Sequence, residues 1–321
     1  MDRRSFLRGS GWAAAGAAAG APAITALLGR RRFAGPGARA AEWAPRGERP
    51  RSPWDLVVVT GRDPARMAAA GLETLGALEG FFAKGDRVLI KPNVSWDRLP
   101  EQAANTNPEL VAALVRLALQ AGARAVTVAD HTCSAAPNAF ERSGIRRAAE
   151  EAGARVVMLE ARDFVRVRLG GRVLESWEAY AGYPSFDKVI NAPIAKHHSL
   201  VGLTLSLKSY IGLAGGRRRD LHQKIDETIS DLASFFTGLR PTLTVLDATR
   251  ILLRNGPQGG LLEDVREAGT LVLGYAPATV DAFGATIFGY PPDRIPHVRT
   301  GAARGLGSTD LNSLKVKEVR V

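Results

Sequence analysis

Side chains able to do chemistry fall in four short groups. Lys91 and Asn93 form the first, and Asp130 and His131 the second. The third and densest runs from Asn191 through Lys196, His197 and His198 to Lys208, Gly215, Gly216 and His222. Asp247 stands in the fourth. Lysines and glycine-freed backbone amides bind carboxylates and phosphates. Histidine moves protons near neutral pH and ligates divalent metals. A lysine inside an apolar run, as Lys208 is beside Leu205, Leu207 and Ile211, needs an anionic partner because a buried ammonium is costly.

These types point to an anion- or cofactor-binding cleft. Lys91, Asn93, Asp130, Asn191, Lys196, Gly215 and Gly216 are its candidate binding residues. His198 is the candidate general acid/base, Lys208 the anion or cofactor anchor, and Asp247 the orienting group. His197, His198 and His222 are candidate ligands of a divalent metal. Bland readings stand beside these. Asp and Asn end strands because they make turns. Arg217, Arg218 and Arg219 also read as a solvated basic loop.

The elements that must position these residues alternate. Strands are expected at Leu56–Thr60, Arg87–Ile90, Ala125–Ala129, Arg155–Leu159, Asp187–Asn191, Leu243–Leu246 and Thr270–Tyr275. Helices are expected after Asp63, from the Asn107 cap to Gln120, from Pro137 to Glu151, over Ile225–Phe236 and from Pro277 to Phe288. Asn at the cap with Pro next is the preferred order at a helix start. The rhythm predicts an α/β fold: a mostly parallel sheet with helices on both faces. Two alternating runs around Gly170-Gly171 predict a β-hairpin insertion at 164–183, and a break near 160–186 allows two lobes. Leu314–Val321 reads as an edge strand. In such sheets ligands bind beyond the carboxyl ends of the strands, and each of the four groups follows an expected strand.

The chain has 321 residues, 45% hydrophobic and 23% charged, which is globular composition. The single cysteine, Cys133, excludes an internal disulfide, a four-cysteine zinc site and an iron–sulfur cluster held by four cysteines of this chain. The net charge of +11 is concentrated at the start, where seven arginines and one acid, Asp2, fall within residues 1–40. The body carries no basic run interleaved with aromatics, so nucleic-acid binding is not expected.

Asp2 to Arg8 reads Asp-Arg-Arg-Ser-Phe-Leu-Arg, followed by an Ala-rich stretch and Ala38-Arg39-Ala40. This resembles a twin-arginine signal peptide over residues 1–40 with its cleavage site. It implies the twin-arginine export machinery as a partner and an extracytoplasmic or periplasmic location. Residues 41–54 read as a surface arm, and 55–321 as the α/β domain. No stable membrane span is expected after cleavage.

The motifs Lys91-Pro92-Asn93, Thr106-Asn107-Pro108, Asn191-Ala192-Pro193, Lys196-His197-His198, Asn255-Gly256-Pro257 and Val280-Asp281-Ala282 resemble the family catalogued as domain of unknown function 362. The likeness spans about residues 56–310. Many relatives carry ferredoxin-like cysteine clusters, and this chain lacks them. The order of His198, Lys208 and His222 is also similar to lactate racemase-type enzymes. That likeness implies a nickel pincer nucleotide tethered by Lys208, with His222 as a metal ligand. The expectation is an exported enzyme acting on a carboxylated or phosphorylated small molecule. The rival is a non-catalytic periplasmic binding or carrier protein.

Overall fold

The computed structural model describes residues 40–48 and 50–321. The signal-like segment 1–39 lies outside them.

Among the described residues, twelve strands form two sheets. They are β1 Leu56–Thr60, β2 Arg87–Pro92, β3 Ala125–Asp130, β4 Arg155–Met158, β5 Phe164–Arg168 and β6 Ser176–Tyr180. They continue with β7 Lys188–Ala192, β8 Ile194–His198, β9 Gly202–Thr204, β10 Thr242–Leu252, β11 Val265–Gly274 and β12 Val316–Arg320. The large sheet runs β12-β1-β11-β10-β7-β2-β3-β4, with β8 also on β10 and β9 on β8. It is mostly parallel, and only the β11 pairings and the β8–β9 hairpin are antiparallel. β5 and β6 form the expected separate hairpin.

Alternate residues of each strand feed opposite faces. Val88 and Ile90 of β2 join one apolar cluster with the helices Pro64–Thr74, Pro108–Gln120 and Ile145–Glu151, while Leu89 joins another on the far side with Ile225–Leu239. Likewise Val57 and Val59 face the first cluster, whereas Leu56 and Val58 face a third with the helices Pro277–Ile287 and Pro296–Ala303. Burial on both faces explains why the strands read as unbroken apolar runs. Within 41–54, Trp43 stacks at 5.7 Å on Phe235 and at 6.5 Å on Tyr183.

Four differences from the expected elements appear. The helix expected from Pro137 to Glu151 breaks at Gly144 (φ 71°), and the one after Asp63 breaks at Gly76 (φ 73°). Both glycines adopt the left-handed conformation that ends helices. β10 runs through Asp247 for five more residues, so Asp247 lies inside a strand and not at its end. The hairpin β8–β9 lies where no strand is expected, beyond the end of the expected strand Asp187–Asn191.

The sheet forks at Pro193. Up to that point β7 lies between β2 and β10, with Asn191 paired to Lys91 on one side and Thr244 on the other. Beyond it, β8 stays on β10, the Asp247 amide donating to the Pro193 carbonyl at 2.8 Å. β2 ends there at Pro92. The cleft opens in this fork.

Candidate functional site

A cavity of about 270 Å³ fills the fork. β2 and its continuation supply Lys91, Asn93, Ser95 and Trp96. β3 and its continuation supply Asp130, His131 and Cys133. β8 brings Lys196 and His198, and the short helix Ser206–Ser209 brings Lys208. Ile211, Gly212, His222 and Pro257 close the rim.

Lys91 and Asp130 form the floor. Their side chains are 1% exposed and 3.0 Å apart. Lys91 Nζ also donates to the Pro92 carbonyl at 2.8 Å. Asp130 accepts from the amides of Val94 at 2.6 Å and His131 at 2.9 Å. Gly212 must be glycine: a Cβ there would overlap Asp130 Oδ1 and Lys91 Nζ.

Lys196 is 1% exposed. Its Nζ donates to Asn93 Oδ1 at 3.1 Å and to the Ala104 carbonyl. Burial, with the Lys208 charge adding to it, pulls its ammonium down to about 7. Lys196 therefore changes charge near neutral pH.

Two histidines offer opposite tautomers. The Leu200 amide donates to His198 Nδ1 at 3.2 Å, so the neutral ring carries its hydrogen on Nε2. Burial first, and then the charges of Lys208 and Lys196, push the His198 pKa down to about 3. His198 is thus a neutral donor across the physiological range. His131 Nδ1 lies 3.1 Å from the Ala214 carbonyl, which can only accept, so Nδ1 carries the hydrogen. In the neutral ring, Nε2 of His131 is then an acceptor.

Of the residues singled out from sequence, Lys91, Asn93, Asp130, His131, Lys196, His198, Lys208 and His222 meet at this cavity. The other candidate site residues do not line it. Asn191 is fully buried beneath it, its amide donating to the Ser206 carbonyl at 3.1 Å. Asp247 accepts from the Asn107 amide at 2.7 Å, the Thr249 amide at 3.0 Å and the Thr249 hydroxyl at 2.7 Å. It braces the start of the helix Pro108–Gln120. Gly215 and Gly216 pack against the hairpin: the Gly215 amide donates to Glu178, and its carbonyl accepts from Trp177 Nε1. His197 takes the Gly256 amide on Nδ1 at 3.1 Å and does not join His198 and His222. Among the described residues no three His, Cys, Asp or Glu side chains come together to hold a metal ion.

Two buried residues near Lys208 are not among the candidate site residues, although Asp281 lies in the Val280-Asp281-Ala282 motif. Asp281 accepts from the Ser206 amide at 2.7 Å and the Leu207 amide at 2.9 Å, holding the first turn of the helix that bears Lys208. Its carboxyl is pushed up to about 7 by burial. His297 is fully buried, is pushed down to about 3 by burial and the Lys208 charge, and has no hydrogen-bond partner on either ring nitrogen among the described residues.

The thylakoid-associated protein sll1697 of Synechocystis sp. is 26% identical over 250 residues, covering 74% of each chain. A crystal structure of a Thermotoga maritima protein matches 76% of this chain and 60% of its own length, with a TM-score of 0.44 and 14% identity. This chain therefore spans less than two thirds of that protein. Over residues 88–286, which include every cavity residue named above, the sequence matches the profile described as Domain of unknown function (DUF362), and the chain belongs to that family.

Proposed function

We propose that the cavity binds a small carboxylated or phosphorylated molecule and that the protein is an enzyme acting on it by proton transfer. One observation carries this reading. Three lysines, Lys91, Lys196 and Lys208, line the cavity beside one acid, Asp130. A lining so rich in cationic groups attracts an anion, which charge-assisted hydrogen bonds would hold in a partly dehydrated site. His131 and His198 line one cavity, and two rings able to exchange protons there favour catalysis over simple carriage. A divalent metal has a smaller claim, since only His198 and His222 of the candidate ligands line the site.

The same reading takes the folded chain out of the cytoplasm by the twin-arginine machinery. Arg3, Arg4, Phe6 and Leu7 support it. So does the thylakoid association of the Synechocystis relative. Among the described residues no helix is long and apolar enough to cross a membrane.

The test is calorimetric titration with inorganic phosphate and with malonate. Binding by the wild type and its loss in Lys196→Met/Lys208→Met is the expected result. Equal affinity in the two proteins removes the reading. Proton exchange from a bound carbon acid, followed by NMR in deuterated water, separates the enzyme from the carrier.

A further inference from the structure

We infer that Lys196 is a nucleophile that forms an imine with the carbonyl of a small 2-oxo carboxylate, whose carboxylate is held by Lys208. The inference rests on the anion-binding reading and names its substrate class.

Hydrogen-bond bookkeeping singles out Lys196. An ammonium has three N–H donors, whereas a neutral amine has two and a lone pair. Among the described residues its Nζ donates to Asn93 Oδ1 and to the Ala104 carbonyl. Those two acceptors match the two N–H groups of the neutral amine and leave its lone pair over. The side chain is almost fully buried yet lines the cavity. A second cation, Lys208, lines the same cavity and disfavours another positive charge on Lys196. A desolvated lysine beside another cation is the arrangement that activates an amine. Lys91 has no such role, because its Nζ faces the Asp130 carboxylate.

The step balances without an added oxidant or reductant. The Nζ lone pair forms a bond to the carbonyl carbon, and the C=O π electrons move to oxygen, giving a carbinolamine. His198 Nε2–H is the neutral donor available to that oxygen. As the nitrogen closes the C=N bond, the C–O bond breaks. The two protons lost from nitrogen leave with that oxygen as water. The resulting imine, once protonated, withdraws electrons from the neighbouring carbon, which suits the proton transfer proposed above.

The experiment treats the full-length protein with pyruvate and sodium borohydride, then reads intact mass and a peptide map. Acetone serves as the uncharged control. One adduct is expected, equal to pyruvate less one oxygen, mapped to Lys196, competed by malonate and absent with acetone. Lys196→Arg, which keeps the charge and the donors, loses the adduct. If that variant does not fold, the wild-type peptide map decides alone. Adducts scattered over surface lysines overturn the inference. So does calorimetric binding of pyruvate without a trapped adduct, and in that case the anion-binding cleft stands. If neither phosphate nor pyruvate binds, the cleft reading falls and takes the imine with it.

Discussion

Lys91 Nζ lies 3.0 Å from Asp130 Oδ1, with both side chains 1% exposed. Each depends on the other, because a single buried charge is far costlier than a buried pair. Asp130→Asn removes the carboxylate facing the buried Lys91 ammonium and should lower stability by about 3–5 kcal/mol in urea unfolding. Lys91→Met/Asp130→Leu should cost clearly less than the sum of the single changes. Additive costs would show that the pair is not coupled.

Gly212→Ala should damage the floor without changing any charge. Its Cβ would occupy the space of Asp130 Oδ1 and Lys91 Nζ. Those atoms are fixed by buried partners and have little room to move, so overpacking should cost roughly 1–3 kcal/mol. Phosphate affinity should fall with it. A thermal melt like that of the wild type would mean that the floor yields.

Lys196 gives pH two opposite effects. Its unfolded pKa is about 10.4, and its folded value is pulled to about 7 by burial and Lys208. Between those values the unfolded chain binds more protons, so the contribution of Lys196 to stability rises with pH across that window and levels off below it. Anion affinity runs the other way, falling as pH climbs past about 7 and the ammonium is lost. Lys196→Met should flatten both slopes. Urea unfolding and calorimetry at pH 6 to 9 are the measurements, and an affinity independent of pH would remove Lys196 from binding.

Lys208→Met keeps the apolar volume of the stem. The melt should stay near wild type while phosphate affinity drops on the order of tenfold, the worth of one charged hydrogen bond. Asp281→Ala should reproduce part of that loss from a distance, since Asp281 holds the amides of Ser206 and Leu207. Unchanged affinity in Asp281→Ala would show that Lys208 needs no brace.

Export should depend on Arg3 and Arg4. Changing both to Lys should trap precursor in the cytoplasm, read by fractionation and immunoblot. Unimpaired export of the double variant would rule out the twin-arginine route.

Much of this architecture was legible because local signals agreed with the fold. The Asn107-Pro108 start gave the helix ending at Gln120, and the apolar runs gave both-face burial. Errors arose where a residue has two uses. Asp247 resembled a turn residue, yet the apolar Ile251 and Leu252 behind it carry β10 onward. Lys196, His197 and His198 lie beyond the expected strand Asp187–Asn191, although pairing of β8 with β10 makes them a strand of their own. Gly215 and Gly216 resembled an anion nest, but the Gly215 face meets Phe164 of the inserted hairpin. Period and turn chemistry cannot report such long-range partners. His297 had no sequence signal at all.

The fork at Pro193 divides the labour between wall and mouth. Lys91 and Lys196 sit on strands laced into the ladder, β2 to β7 and β8 to β10. Ser95, Trp96, Cys133 and Pro257 sit on connections between elements. Substitutions in the connections can redraw the entrance without unpicking a single rung of the ladder.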